Sequence, residues 1–232
     1  MATRPTYSTS NLLNAAQLAI NNSLGDAEIQ DLVAAYGYSA TRLNEGKQLH
    51  DTAVLVCNAQ AAAAGAQREA TARVKAAEKD ARDAYQALAQ VARATLRLDK
   101  AQLATLGIVG SMPKPTAGFL AAGYLLFDNA LAVTAMRDLL AGYGYDQARL
   151  QSERAKIVAF DQANQAQEAA KGAAQQATRD QEAVLATLGG WLAQYKRIVR
   201  VALRGKKELL EKLGLPVRSR RPRAKRKPRV VK

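Results

Sequence analysis

The segment DLVAAYGYSATRL, residues 31–43, recurs as DLLAGYGYDQARL, residues 138–150, so the two segments are 107 positions apart. A repeat has to be recognised before individual helices are assigned, because overlooking one leads to the wrong fold. The same offset continues without a gap on both sides of these segments and pairs, for example, Arg93 with Arg200. We therefore predict that the chain is a tandem duplication.

The two copies cover about residues 8–115 and 116–222. Each copy contains an element that we call the GYGY element, which reads AYGY at 35–38 and GYGY at 142–145 and predicts a corner between two helices. Gly37 and Gly144 can take the left-handed conformation that ends a helix, and Ser39 and Asp146 can then cap the next helix. The spacing of Tyr38 to Leu43, and of Tyr145 to Leu150, is that of a hydrophobic staple. A tyrosine platform for a ligand is the alternative interpretation.

The composition predicts an all-α protein. Aromatic residues make up 5% of the chain, and a β-sandwich or barrel needs many more aromatic and β-branched side chains. Residues 39–106 and 146–213 contain no proline, which predicts a long helix of up to 68 residues after each corner. A sharp bend at Gly65 and Gly172, giving shorter hairpins, is the alternative.

Residues that are small or apolar, apart from His50 and Gln60, follow the first long stretch mostly in steps of three and four, which is typical of a coiled-coil-like seam in an antiparallel bundle. Alanine buries little apolar area, so this seam needs a partner helix from the other copy or from another chain, and we expect a homo-oligomer. The seam consists of Leu43, Gly46, His50, Ala53, Cys57, Gln60, Ala64, Val74, Ala77, Ala81, Tyr85, Leu88, Val91 and Leu98.

Shorter helices are predicted before each corner. Ser10 is the expected cap of the first helix, and Ser23 with Asp26 resembles a capping pair that opens a second helix. Copy two has Ala130 and Val133 in the corresponding places, so we expect one unbroken helix there.

The glycine- and proline-containing stretch GIVGSMPKPT, residues 107–116, predicts the connector between the copies. It divides the chain into a helical repeat at 1–110, a second repeat at 111–215 and a disordered basic tail at 216–232. The apolar window that follows the connector is interrupted after ten residues by Asp128 and Asn129. We therefore expect a buried helix rather than a membrane span.

Groups for catalysis or metal binding are scarce, since the chain has one histidine, His50, and one cysteine, Cys57. They stand seven residues apart with no second histidine nearby, so no metal site is predicted. Nucleotide-binding motifs, nucleophilic triads and di-iron motifs are also missing from the sequence. We expect no catalytic residue, cofactor or small-molecule substrate. The amino-terminal sequence lacks the pattern of a secretory signal, and the single cysteine fits a reducing compartment, which favours the cytoplasm.

The charge is concentrated at one end. The formal net charge is +14, whereas residues 1–195 carry 18 charges of each sign. Residues 196–212 carry seven basic and two acidic residues, and residues 218–232 carry nine basic residues and no acid. Basic clusters of this kind neutralise nucleic-acid phosphates without reading base sequence.

We therefore predict a nucleic-acid interface in two parts. The first is on the end of the second repeat, where cations recur every four residues on one helical face. The second is a disordered arm without aromatic residues, which favours a duplex or structured RNA over stacking on single strands. The predicted residues are Lys196, Arg197, Arg200, Arg204, Lys207, Arg218, Arg220, Arg221, Arg223, Lys225, Arg226, Lys227, Arg229 and Lys232.

The arm resembles in composition the basic arms of histone-like and nucleoid proteins, which implies the nucleoid as a location. The leading hypothesis is an elongated, non-enzymatic architectural protein. The main alternative is a helical scaffold or self-assembling subunit whose tail docks on an acidic protein or an anionic membrane. A tail that only solubilises the protein is a further interpretation. A small-molecule binder would require a cluster of buried polar groups inside the bundle.

Overall fold

The computed structural model describes residues 8–97 and 99–216, and these residues contain helices but no strand. The all-α prediction is therefore confirmed for this part of the chain. The first four helices begin 107 residues before the corresponding helices of the second four. The helices are α1 (Thr9–Leu24), α2 (Ala27–Ala34), α3 (Ala40–Thr95), α4 (Lys100–Thr105), α5 (Thr116–Ala132), α6 (Thr134–Ala141), α7 (Gln147–Ala202) and α8 (Lys207–Lys212).

The GYGY corners end α2 and α6 as the sequence predicts. Gly37 and Gly144 have φ of 83° and 82°, a region that L side chains rarely enter. The amide of Tyr38 donates to the carbonyl of Val33 at 3.1 Å, and the amide of Gly37 donates to that of Ala34 at 2.9 Å. These two bonds form a Schellman motif, which satisfies carbonyls that the helix end leaves free.

The next helix is capped at each corner. The amide of Arg149 donates to Oδ1 of Asp146 at 2.8 Å, and that of Arg42 lies 3.5 Å from Oγ of Ser39. An N-cap carboxylate or hydroxyl of this kind satisfies one of the free amides of the first turn.

The long helices α3 and α7 are continuous, and each has 56 residues. The alternative of a sharp bend at Gly65 or Gly172 is wrong, because both glycines lie inside a helix. A Cβ at either position would meet nothing within 4 Å, so these glycines do not mark a close helix contact. Both helices end 11 residues before the proline-free stretches do, since 106 − 95 and 213 − 202 both give 11.

An additional short helix follows each long one. In the first copy Asp99 caps α4, with its Oδ1 accepting from the amide of Gln102 at 3.0 Å. The corresponding position before α8 is Lys206, which makes no side-chain cap.

Three local predictions are wrong. Ser8, rather than Ser10, caps α1, and Ser23 lies buried inside α1 while Asp26 alone caps α2. The segment after the connector is two helices, because Val133 is extended (ψ 103°) and the chain bends by 91° between α5 and α6. Valine gave no capping signal from which this break could be predicted.

The predicted seam of α3 is the less exposed face of the helix, but it is thin. Leu43, Ala53 and Ala81 are buried, whereas no residue of α3 between 54 and 80 is fully buried. The side chain of Leu98, also assigned to the seam, lies outside the described residues.

The described residues divide into two compact units, which we call unit 1 (residues 8–60 and 177–216) and unit 2 (residues 61–97 and 99–176). The predicted repeats 1–110 and 111–215 divide the chain differently, since each unit contains residues of both. Helices α3 and α7 each pass from one unit into the other.

Unit 1 has a core in which α1, α2 and the start of α3 pack against the end of α7. Its largest fully buried side chains include Tyr38, Tyr195 and Ile20. Unit 2 has a core in which the end of α3 packs against α5, α6 and the start of α7. Its largest fully buried side chains include Phe119, Phe127 and Phe160, so α5 is a core helix of unit 2.

Candidate nucleic-acid interface

The end of α7 carries its apolar and its basic residues on different sides. Leu188, Leu192, Tyr195, Val199 and Leu203 are buried in unit 1. At 100° per residue, the side chains at 196, 197 and 200 project beside and away from this stripe. The side chains at 197 and 200 are exposed, and the one at 196 is partly buried.

The next two predicted cations follow directly. Arg204 is exposed in the turn after α7, and Lys207 is the exposed first residue of α8. The chain changes direction between them at Gly205, which has φ of 92°. We name the five body cations of the predicted interface, Lys196, Arg197, Arg200, Arg204 and Lys207, the basic pole.

Four side chains of the basic pole, those of Arg197, Arg200, Arg204 and Lys207, make no hydrogen bond or ion pair with another described residue. Lys196 is different. Burial of the ammonium group lowers the pKa of Lys196, and the positive charge of Arg200 lowers it further. Two cations of the pole therefore lie close enough to repel, and an anion beside them would relieve this repulsion.

Two further lysines of this region are bound by acids at the start of α2, the N-cap Asp26 and Glu28, which sequence reasoning did not predict. Lys206 forms an ion pair with Glu28, and Nζ of Lys212 lies 2.7 Å from Oδ2 of Asp26. The hydrogen bond from Lys212, together with the one from the amide of Ile29, lowers the pKa of Asp26. Residues 186 positions apart give no local signal of such pairing.

The counterpart of Arg200 in the first copy has another role. Arg93 donates from Nη2 to the carbonyl of Ile108 at 3.1 Å and to that of Gly110 at 2.8 Å. Likewise the counterpart of Lys196 is Ala89, which is 1% exposed in the core of unit 2. Three of the five positions of unit 2 that correspond to the basic pole are also basic, namely Arg93, Arg97 and Lys100. The pole differs from them in Lys196 and Arg197, whose counterparts are Ala89 and Gln90, and in Arg200, which lacks the carbonyl partners of Arg93.

The arm of the predicted interface lies outside the described residues. This applies to all nine of its cations and to the prediction that it is disordered. The described chain ends next to buried Leu215, which packs in the core of unit 1. The arm therefore starts from the same unit that carries the basic pole.

A cluster of aromatic and polar groups lies inside unit 1. The rings of Trp191 and Tyr195 stack with centroids 5.2 Å apart, and the ring of Tyr38 is 4.8 Å from that of Tyr195. Burial raises the pKa of Tyr195 to about 12, and its hydroxyl is hydrogen-bonded to Ser23. Oη of Tyr38 and Nε1 of Trp191 are buried without a partner among the described residues.

This cluster provides buried polar groups of the kind a small-molecule binder requires, but it is closely packed. A Cβ on Gly46 would lie 2.2 Å from Cζ2 of Trp191, so the indole fills the space above that glycine. Tyr38, the second tyrosine of the first corner, packs in this cluster and therefore contributes to the core. The Arg42 guanidinium lies 4.6 Å from the centroid of the Tyr38 ring.

His50 and Cys57 have separate partners. Nδ1 of His50 is 3.2 Å from Oδ1 of Asp51, and Sγ of Cys57 accepts from Nε2 of Gln181 at 3.3 Å. In the part of the chain that the structure describes, no three His, Cys, Asp or Glu side chains are grouped as metal ligands.

No single described helix is long and apolar enough to cross a membrane. The bent pair α5 and α6 reaches that length and apolar composition only when the two helices are taken together. Comparisons with protein-family models, with curated proteins and with solved structures gave no match for this chain.

Proposed function

We propose that this chain is a non-enzymatic helical protein that binds nucleic acid, without sequence specificity, through the basic pole and the arm that follows it. One observation carries the proposal. Arg197, Arg200, Arg204 and Lys207 are exposed without an acidic partner in the described chain, whereas the adjacent Lys206 and Lys212 are neutralised by Glu28 and Asp26.

The placement of the cations favours phosphate contacts over base contacts. They extend from the exposed side of a helix into a turn and the start of α8, and nine more follow in the arm. Arginine forks match phosphate oxygens in geometry, and each neutralised phosphate releases counterions, so affinity falls steeply with salt. Base recognition would need side chains placed along a groove, for which this arrangement offers no support.

We also propose that the body arose by duplication of a unit made of two short helices, a GYGY corner, a long helix and a final short helix. The common offset of 107 between the starts of corresponding helices supports this origin. Within this origin, the two copies differ in charge at the pole, because Lys196 and Arg197 correspond to Ala89 and Gln90. The other three positions are basic in both copies.

Binding to a labelled mixed-sequence duplex, measured by fluorescence anisotropy across a salt series, tests the proposal. Four proteins are compared: the full chain, the chain ending at Leu215, the triple variant R197A/R200A/R204A and a matched control, R68A/K75A/R179A. The control loses the same charge from exposed positions outside the pole. We expect the salt slope to fall by up to about 0.9 for each lost phosphate contact in the pole variant, with further loss in the truncated chain.

Three results would contradict the proposal. One is equal binding of all four proteins, and another is equal weakening by the control, which would indicate net charge rather than a site. The third is failure of the full chain to bind at about 0.15 M salt. In that case, pelleting with phosphatidylserine vesicles and with neutral vesicles tests the membrane alternative, and an acidic protein partner stays as the remaining candidate.

A further inference from the structure

The core of each unit is assembled from both halves of the chain. In unit 1, nine buried residues come from residues 12–53 and seven come from residues 188–215. In unit 2, nine buried residues come from residues 81–108 and ten come from residues 119–160. Neither half, taken as residues up to 110 or from 111, contains a complete core.

Polar contacts between the halves occur in corresponding pairs. Nδ2 of Asn22 donates to the carbonyl of Lys212 at 2.6 Å, and Nδ2 of Asn129 donates to the carbonyl of Thr105 at 2.6 Å. Asn129 is 107 positions beyond Asn22, and Lys212 is 107 positions beyond Thr105. The first copy therefore donates through Asn22 the same hydrogen bond that it accepts from the second copy at Thr105.

Apolar contacts between the halves are reciprocal in the same way. A Cβ on Gly214 would lie 2.8 Å from Cδ2 of Leu18, and one on Gly107 would lie 2.5 Å from Cδ2 of Leu125. In each case a leucine of one half covers the glycine that ends the last short helix of the other half. Because these contact surfaces correspond, a second copy of this chain offers each half the same binding surface as the covalently linked half does.

The connector is the covalent link between the halves, and it is held by side chains of α3. Arg82 donates to the carbonyls of Pro113 and Lys114 at 3.2 Å and 2.9 Å, and Arg93 donates to carbonyls at the start of the connector. Ser111, between the carbonyls bound by Arg93 and those bound by Arg82, is exposed. A break at this point removes no buried contact.

We propose that the two halves are separable binding partners, and that the corresponding half of a second copy of this chain can replace the covalently linked half. Two chains then form an exchanged dimer. In this dimer each unit is built from residues up to 110 of one chain and residues from 111 of the other. The connector favours pairing within one chain through effective concentration, so exchange increases with protein concentration. This proposal is independent of nucleic-acid binding.

The experiment uses the full chain with a protease site inserted between Gly110 and Ser111, cut only after folding. Native mass spectrometry and gel filtration are then applied to the cut protein. We expect the two fragments to stay together in a one-to-one complex with the circular dichroism of the uncut chain. Separation or unfolding of the fragments on cutting would overturn the proposal, because covalent linkage would then be required.

Exchange between chains is tested by refolding ¹⁵N-labelled and unlabelled cut protein together from urea. Random pairing predicts a large population of hybrid complexes that carry one labelled and one unlabelled fragment. Absence of hybrids after joint refolding would also overturn the proposal. Refolding the uncut chain at rising concentration measures the exchanged dimer directly, and a dimer fraction that does not rise would count against it.

Variants show whether the described contacts hold the fragments together. Asn22→Ala removes a donor between the halves, and we expect the dissociation constant of the cut fragments to rise about fivefold. The control Leu55→Ala changes a side chain that is 69% exposed, and we expect no change. An equal effect of both variants would overturn the assignment of these contacts as the binding surface.

Discussion

The side-chain amide of Asn22 holds the carbonyl of Lys212 at 2.6 Å, across 190 positions of sequence. Asn22 is near the end of α1, and Lys212 is the last residue of α8. The contact satisfies a carbonyl that the end of a short helix leaves without an intrahelical partner. Asn129 and Thr105 repeat this relationship in unit 2.

Loss of this hydrogen bond is expected to destabilise unit 1. Asn22→Ala should lower the free energy of unfolding by about 1 kcal/mol relative to Asn14→Ala, an exposed position on the same helix. The comparison with Asn14→Ala cancels the gain in helix propensity that alanine brings. Urea unfolding followed by circular dichroism measures the difference, and equal stabilities would show that the bond contributes nothing.

Glycines of α3 should respond in opposite directions to alanine. Gly46→Ala places a methyl group where the Trp191 ring lies, 2.2 Å away, and should cost about 1–3 kcal/mol because the indole is packed among tyrosines. Gly65→Ala meets open space inside a helix and should stabilise the protein by about 0.5–1 kcal/mol. Thermal unfolding measures both effects, and a shift in Trp191 emission is expected for the Gly46 variant alone.

The local part of the fold was predictable from sequence, because its signals lie within a few residues of each other. Gly37 and Gly144 predicted the corners correctly, since a positive φ is a local requirement that glycine meets. Ser23 was assigned wrongly because a serine near a helix end is read as a cap. Its role as a buried partner of Tyr195 depends on a residue 172 positions away.

The candidate site was predictable as a set of exposed cations, but the ion pairs that neutralise neighbouring lysines were not. Helical periodicity placed Lys196, Arg200 and Arg204 on one face apart from the apolar residues. Arg200 is exposed on α7 as expected, whereas Lys196 is partly buried and Arg204 lies in the turn after α7. Periodicity does not specify which helix packs alongside, so it could not show that Glu28 neutralises Lys206. For the same physical reason, the sequence indicated that each long helix needs a partner from the other copy or from another chain, but not which of the two.

Two tyrosines of the unit 1 cluster should differ in their response to loss of the hydroxyl group. The Tyr195 hydroxyl is bonded to Ser23, so Tyr195→Phe should lower the free energy of unfolding by about 1–2 kcal/mol. The Tyr38 hydroxyl is buried without a partner among the described residues, so Tyr38→Phe should leave stability unchanged or increase it. Urea unfolding tests the pair, and a loss of the same size for Tyr38→Phe would indicate a partner for its hydroxyl, such as an ordered water.

Acid should weaken the contact between α2 and α8. The hydrogen bond from Lys212 holds the pKa of Asp26 below its usual value of 3.8. A carboxyl whose pKa is lower in the folded state stabilises that state above the unfolded pKa, and this contribution is lost as the pH falls through the folded pKa. The loss attributable to Asp26 should therefore begin near pH 4 and be complete at lower pH.

The variant Asp26→Asn isolates this effect, because asparagine still caps α2 but carries no charge. Its melting temperature should depend less steeply on pH below 4 than that of the parent chain, whereas Asp31→Asn, an exposed position on the same helix, should follow the parent. Melting curves between pH 6 and pH 2.5 at low salt provide the measurement. A parallel course of the Asp26→Asn and parent curves would mean that the ion pair with Lys212 does not stabilise unit 1.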